Sequence, residues 1–340
     1  MNMAGKDILE EVVDALRRLG LVEPDEAPAL VPLTGGVSSE IWKVSTRGGE
    51  FCAKRALARL KVAAVWEAPP ERSHYEAEWM RVAGAIRPDN VPKVIAEDPV
   101  THLLVMPFLP PSEYTLWKTE LRDGRADPDF AAAVGTALAA IHAATAGDPA
   151  MASRFPTDAS FHALRLEPYL EATAARHPSV AARLFALSRA TAAVKRCLVH
   201  GDVSPKNILA GPKGPVFLDA ECAWFGDPAF DVAFVLNHLL LKCVWTPPAS
   251  EAFLACFAAL SQAYLAGVPR READAIERRV AALLPGLMLA RIDGKSPVEY
   301  ITAERDRDRV RRFAIPLLAA PASRLAGIAG RWREAVGTSP

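Results

Sequence analysis

The apolar positions of this chain change period along its length. Between Lys6 and Leu19, Ile8, Leu9, Val12, Val13, Leu16 and Leu19 recur at helical steps, with Arg17 and Arg18 near the end, which predicts an amphipathic helix rather than a secretory leader. From Ala29 to Met106 the pattern is mostly that of strands. Val31 to Val44 predicts strand, turn and strand around Gly35-Gly36-Val37-Ser38-Ser39, and in Glu50 to Arg55 the alternation puts Cys52 and Lys54 on one face. Glu71 to Val82 has helical spacing, with Tyr75, Trp79 and Val82 as its apolar stripe. The apolar run from Leu103 to Leu109 ends in Pro110-Pro111, which predicts a buried strand passing into a linker.

Further on, Ile208-Leu209 and Val216-Phe217-Leu218 flank Gly211-Pro-Lys-Gly-Pro215, the signature of a hairpin. Phe230 to Leu241 reads as a helix. Phe253 to Val268 is apolar but contains Ser261 and Gln262 and is short for a bilayer span, so no transmembrane segment is expected. Glu304-Arg-Asp-Arg-Asp-Arg309 predicts a solvated helix face with local ion pairs. The 340 residues suffice for two lobes, expected at 1–108 and 109–340.

Composition narrows the partners. Hydrophobic residues make up 51% and charged residues 24%, as in globular chains, and 40 Lys plus Arg balance 40 Asp plus Glu. No global charge argues for nucleic acid or an anionic membrane as partner. The five Cys are scattered without metal-ligand spacing, and an odd count predicts reduced thiols and a cytoplasmic location.

Two segments carry chemistry: Leu198-Val-His-Gly-Asp-Val-Ser-Pro-Lys-Asn207 and Phe217-Leu-Asp-Ala-Glu221. Phosphoryl transfer needs a carboxylate beside the acceptor hydroxyl and oxygen ligands holding Mg²⁺ on the phosphates. Asp202 suits the first task, and Asn207 with a strand-borne Asp219 suits the second. Pro205 stiffens the reversal that turns Asn207 back toward Asp202, and the hairpin returns Asp219 beside the loop. In the amino-terminal half, Gly35, Gly36 and Ser38 can offer backbone N–H groups to a polyphosphate, and Lys54 can reach the phosphates. Lys54 needs an orienting carboxylate. Glu76 and Glu78 lie about 200° apart around a helix, so one of them faces inward; Glu76, beside the apolar stripe, is preferred. The segment Met106 to Leu109 can meet an adenine, with Pro107 offering only its carbonyl and Phe108 or Leu109 the donor.

The order of these parts, from the Gly-rich turn through Lys54, the Glu-bearing helix and the linker to His200-x-Asp202-x4-Asn207 and Asp219-x-Glu221, resembles the aminoglycoside phosphotransferase and choline kinase family over roughly Leu30 to Leu240. The resemblance implies an α+β, bilobal, protein-kinase-like fold with a small antiparallel-sheet N-lobe and a mainly helical C-lobe. His-Gly-Asp and Gly226-Asp-Pro-Ala-Phe-Asp231 set this group apart from protein kinases, and with no activation segment before Phe230 a peptide substrate is not expected. By the same resemblance ATP and Mg²⁺ are used, Asp202 positions or deprotonates the hydroxyl, Lys54 steadies the phosphates, Asp231 braces the catalytic loop and His200 is structural. Asp219-x-Glu221 looks like choline and methylthioribose kinases and adds Glu221 to the metal set.

The acceptor is less legible. Residues 271–335 carry 13 Arg or Lys and 9 Asp or Glu, 13 − 9 = +4, which disfavours a polycation. Arg165 and Tyr169 in one segment, and Arg291 and Tyr300 in another, are candidates to line a polyol or sugar pocket or, equally, helix-packing corners. Methylthioribose kinases carry an arginine pair where this chain has Ala290-Arg291. Trp66, Trp117, Trp224 and Trp245 suit either an aromatic cage for choline or ordinary packing. The expected function is an ATP-dependent kinase of a hydroxyl on a small, neutral, sugar-like or nucleoside-like metabolite. An aminoglycoside or amino-alcohol kinase is second, and a nucleotide-binding pseudokinase regulator is the alternative of a different class. The sequence sets neither the oligomeric state nor the choice of purine.

Overall fold

The computed structural model describes residues 3–33, 38–59 and 68–337. Gly35, Gly36 and Trp66 lie outside the described residues. The chain divides into two compact units, Met1–Glu113 and Tyr114–Pro340, so that the segment 109–113 goes with the first.

Unit 1 is built on an antiparallel sheet of five strands, β1 (Ala29–Pro32), β2 (Ser39–Thr46), β3 (Gly49–Ala56), β4 (Ala96–Asp98) and β5 (Leu103–Pro107), in the order β1-β2-β3-β5-β4. The period of two sorts its side chains. Trp42, Val44, Phe51, Ala53, Leu103 and Val105 share one face and bury Val12, Ala15 and Leu16 of the helix Met3–Arg18. Each large apolar side chain buried in this way contributes about 1.5–3 kcal/mol. Cys52 and Lys54 take the opposite face, as the alternation predicts. The expected helix at Glu71 runs from Arg72 to Ile86 and stops one residue before Pro88, where the ring disfavours helical backbone at the preceding position.

Unit 2 is mainly helical, with two small sheets. The strand β6 (Thr115–Leu116) pairs with β8 (Ile208–Gly211), which forms the expected hairpin with β9 (Gly214–Phe217). Strand β7 (Cys197–Val199) pairs with β10 (Trp224–Gly226). At the centre runs the helix Pro228–Trp245, begun by Pro at its first position and by Asp227, whose Oδ1 accepts from the Ala229 N–H at 3.0 Å. The Asp227 carboxylate is fixed in turn by the Arg279 guanidinium at 2.9–3.1 Å.

Among the described residues, two helical stretches have the length and hydropathy to cross a membrane, Pro228–Trp245 and Pro247–Ala266, with 94% and 39% of their windows buried within the protein. The first is mostly apolar because the protein covers it all round, and it carries Asp231, Asn237, His238 and Lys242 inside. The second is longer than the sequence suggests, since a turn at Pro247–Ala249 precedes the helix Ser250–Ala266. It lies so close to the helix Pro128–Ala144 that a Cβ on Gly135 would come within 2.4 Å of the Leu260 carbonyl oxygen. The charged run opens the helix Glu304–Ala319, where Arg311 pairs with Asp308 at 2.7 Å and also with Glu304, as the alternation of sign predicts.

Candidate active site

The loop leaving β7 is shaped by one buried carboxylate. Asp231, in the first turn of the helix Pro228–Trp245, accepts from the His200 N–H at 2.7 Å through Oδ2 and from the Gly201 N–H at 2.8 Å through Oδ1. His142 Nε2 lies 3.2 Å from Oδ2, and His142 Nδ1 lies 3.0 Å from the Tyr264 hydroxyl. Gly201 has φ +80°, and a Cβ there would fall 2.3 Å from the Cys222 carbonyl oxygen. This close approach leaves no room for a side chain between His200 and Asp202. Gly201→Ala adds left-handed strain of about 1–3 kcal/mol to the clash, and a fall of several degrees in the thermal midpoint is expected by calorimetry; an unchanged midpoint contradicts the close approach.

His200 is fully buried and spends both ring nitrogens on the loop. Nδ1 accepts from the Asp202 N–H at 3.1 Å, and Nε2 donates to the Leu218 carbonyl at 3.0 Å. Burial pushes its pKa down, which suits the neutral ring these partners require.

Asp202 is buried and faces two cations: Arg165 Nη2 lies 3.0 Å from its Oδ2 and Lys206 Nζ lies 3.2 Å from the same atom. Burial alone raises the pKa of this carboxyl, but Arg165 and then Lys206 outweigh it and hold the group below the ordinary carboxylate range. Arg165 comes from a π-helical segment, His162–Glu171, whose wide turns carry Pro168 inside. Its Nε donates to the Gly201 carbonyl at 2.5 Å and its Nη1 to the Leu164 carbonyl at 2.7 Å. Arg165, read from the sequence as a substrate candidate, is thus the principal partner of Asp202.

The turn Pro205–Asn207 reverses the chain as Pro205 predicts, and the Asn207 amide donates through Nδ2 to the Asp202 carbonyl at 3.0 Å. The Leu218 N–H donates to the Asn207 carbonyl at 2.9 Å, which seats Asp219 beside the loop. Asp219 is not strand-borne as expected: it follows the end of β9 with φ +67°, a left-handed conformation that Asp tolerates better than most residues. Asn207 and Asp219 therefore offer one neutral and one charged oxygen donor at neighbouring positions, a set that fits Mg²⁺, which takes one or two carboxylates and completes its octahedron with water and phosphate. Among the described residues no three His, Cys, Asp or Glu converge to hold a metal. Glu221 is buried, and its carboxylate helps keep Arg165 charged.

In unit 1, Lys54 and Glu76 form a buried pair, with Nζ 2.8 and 2.7 Å from the two carboxylate oxygens. Glu78 turns the other way and pairs with Arg81 at 2.6 Å. Helix phase thus selects between the two acids. Ser38 is buried, and its carbonyl accepts from Arg72 at 2.5 Å; Arg72 also donates to the carbonyls of Leu57, Ala68 and Pro69 at 2.7–3.1 Å. Met106 and Pro107 end β5 opposite Cys52 and Phe51, and Phe108, which follows, lies under the Lys43 ammonium at 4.8 Å. Leu109 is half-buried beyond it.

The remaining substrate candidates adjoin the catalytic loop: Tyr169 lies under Arg165 at 5.8 Å, and Arg291 and Tyr300 line one pocket with Lys206. Tyr169 lies against Arg291, whose Nη1 donates to Ser296 Oγ at 2.9 Å, and Tyr300 stacks on Trp245 at 4.3 Å between centroids. Among the described residues the candidate tryptophans lie in separate ring contacts: Trp117 packs on Phe130, Trp224 on Phe161 and Trp245 on Tyr300. Sequence reasoning passed over Lys206 and Lys242. The signal was present in Lys242, a lysine that follows the apolar run Leu239-Leu240-Leu241 with no acid three or four residues away.

An antiparallel sheet in unit 1, a mainly helical unit 2 and a braced His-Gly-Asp loop followed by Asn207 and Asp219 are the parts that the sequence resemblance predicts. A model of the phosphotransferase enzyme family matches residues 29–274, and the chain belongs to that family. It is 26% identical over 269 residues to a methylthioribose kinase of Pectobacterium carotovorum subsp. carotovorum (strain PC1), covering 70% of this chain and 66% of that protein, just under two thirds. In fold it is similar to a choline/ethanolamine kinase family protein from Mesorhizobium loti, at 16% identity with a TM-score of 0.51 over 96% of this chain and 98% of that one. It is also similar to an amicoumacin kinase in complex with AMP-PNP, Ca²⁺ and Ami, at 14% identity with a TM-score of 0.54 over 92% and 96% of the two chains. The expected α+β, protein-kinase-like fold is the one observed.

Proposed function

We propose that this protein is an ATP- and Mg²⁺-dependent kinase that phosphorylates a hydroxyl of a small sugar-like or nucleoside-like metabolite. The observation that carries the reading is Asp202, a buried carboxylate kept ionised by Arg165 and Lys206 on a loop that Asp231 holds in place. A carboxylate so placed accepts a hydrogen bond from an acceptor hydroxyl and takes its proton as the oxygen attacks the γ-phosphorus, while the bond from that phosphorus to the bridging oxygen breaks and ADP leaves. Asn207 and Asp219 would hold Mg²⁺, which neutralises phosphate charge when bound. The similarity to a methylthioribose kinase supports a sugar-like acceptor, and the AMP-PNP and Ca²⁺ of the amicoumacin kinase support a nucleotide with a divalent cation.

Lys54, oriented by Glu76, steadies the nucleotide phosphates in this reading. Lys54→Met is expected to raise the KM for ATP about tenfold or more, equivalent to about 1.4 kcal/mol, in a coupled ADP-release assay. An unaltered KM removes Lys54 from the phosphate site. The whole reading is tested by Mg²⁺-dependent ADP release across sugars, nucleosides, choline and aminoglycosides. ADP released with a sugar or nucleoside supports it, whereas release confined to aminoglycosides or amino alcohols replaces it.

A further inference from the structure

The helix Pro228–Trp245 buries a lysine that the catalytic loop does not use. Lys242 is 1% exposed, and its ammonium sits 4.0 Å from the centroid of Trp245 and 3.8 Å from that of Tyr300. Among the described residues no oxygen accepts a hydrogen bond from it. Glu299, the acid close by, is engaged with Lys118. Burial pushes the Lys242 amine down to about 6, and the charge of Lys118 adds to the effect.

Lys242 lines a narrow, open-mouthed pocket with about 20 Å³ of water-accessible space, room for one small polar group, together with Lys118, Lys206 and Arg291; Glu299 is the single carboxylate in the lining. Three buried polar atoms of the same lining lack a hydrogen-bond partner: Arg291 Nε, His238 Nε2 and the Tyr300 hydroxyl. Such atoms are costly in a dry interior, and one pocket that gathers them with the buried Lys242 amine and the Arg291 guanidinium is built to receive a ligand that brings its own acceptors. The ligand's charge follows from the lining: Lys118 and Lys206 are paired with Glu299 and Asp202, Lys242 is an amine held low by burial, and Arg291 is a buried cation whose printed partners are neutral oxygens, so the charge left uncompensated is positive and disfavours a quaternary ammonium or an aminoglycoside. Lys206 ties the pocket to the reaction, since its Nζ is 3.2 Å from Asp202 Oδ2.

We propose that this pocket binds the anionic end, a carboxylate or a phosphate, of the acceptor whose hydroxyl Asp202 serves. The inference rests on the kinase reading above and departs from the neutral acceptor that the sequence suggests. Lys242 and Arg291 are then specificity-determining residues, and the unpaired Tyr300 hydroxyl and His238 nitrogen complete the acceptor's hydrogen bonds.

Calorimetric titration of the full chain with D-gluconate, D-ribose 5-phosphate, ribitol and D-glucosamine tests it. At least one anion is expected to bind about tenfold or more tighter than ribitol and glucosamine, and to lose that margin in Lys242→Met with the thermal midpoint kept or raised. A preference for gluconate identifies a carboxylate, and one for ribose 5-phosphate a phosphate. Arg291→Gln is the second variant, with the same loss expected. Ribitol or glucosamine binding as tightly as the anions, no anion binding, or affinity indifferent to both substitutions overturns the inference. ADP release with the bound anion tests the kinase reading separately: Lys242-dependent binding without release leaves the pocket standing and counts against the kinase.

Discussion

Asp202→Asn is expected to lower kcat by about 10²–10⁴-fold, the usual contribution of a positioned general base, while the Kd for ATP changes less than about threefold. The substitution keeps the shape and removes the charge. Its second effect is on Arg165 and Lys206, which both point at Oδ2: an amide cannot neutralise them, and the loop is left with a buried Arg165 and an exposed Lys206 sharing a neutral partner. Loss of kcat with ATP binding retained, read by single-turnover phosphoryl transfer and calorimetry, identifies Asp202 as the group that serves the acceptor. Retained turnover places the base elsewhere. Retained cellular function without any turnover in the wild type points instead to the pseudokinase regulator.

What could be read from the sequence were the parts set by local spacing. The alternation in Glu50 to Arg55 placed Lys54 opposite the apolar core, and helix phase in Glu71 to Val82 favoured Glu76, the acid that pairs with it. The hairpin from Ile208 to Phe217 followed from two short apolar runs and a Gly/Pro turn. Arg165 was visible as an unusual residue, but its partner was not. It reaches back from a π-helical segment whose turns depart from the 3.6-residue period, so no helical-wheel argument points it at Asp202. Asp219 was assigned to a strand because Val216 to Leu218 are apolar; its positive φ is a property of the turn that follows, which periodicity does not register. The Lys242 pocket joins the helices Trp117–Arg122, Pro228–Trp245 and Arg270–Asp293, the catalytic loop and the segment around Tyr300, five stretches brought together by tertiary packing alone.

Asp231→Asn should show how far the catalytic loop depends on one carboxylate. In the native chain both oxygens accept backbone N–H groups, from His200 at 2.7 Å and Gly201 at 2.8 Å, in a site with no solvent exposure. Asparagine can match one of these; its amide nitrogen then faces the other N–H, donor against donor. A buried donor left without a partner costs about 1–3 kcal/mol, and hydrogen bonds to a charged group about 1.5–3 kcal/mol each, so a loss of about 3 kcal/mol is expected, with the thermal midpoint falling by roughly 6–12 °C. The kinetic signature separates positioning from simple instability. Below the new midpoint, kcat should fall through misplacement of Asp202 while the KM for ATP holds, because the Lys54–Glu76 pair belongs to a different unit of the chain. A variant that melts lower but keeps native kcat at reduced temperature would show that the loop retains its shape without the brace.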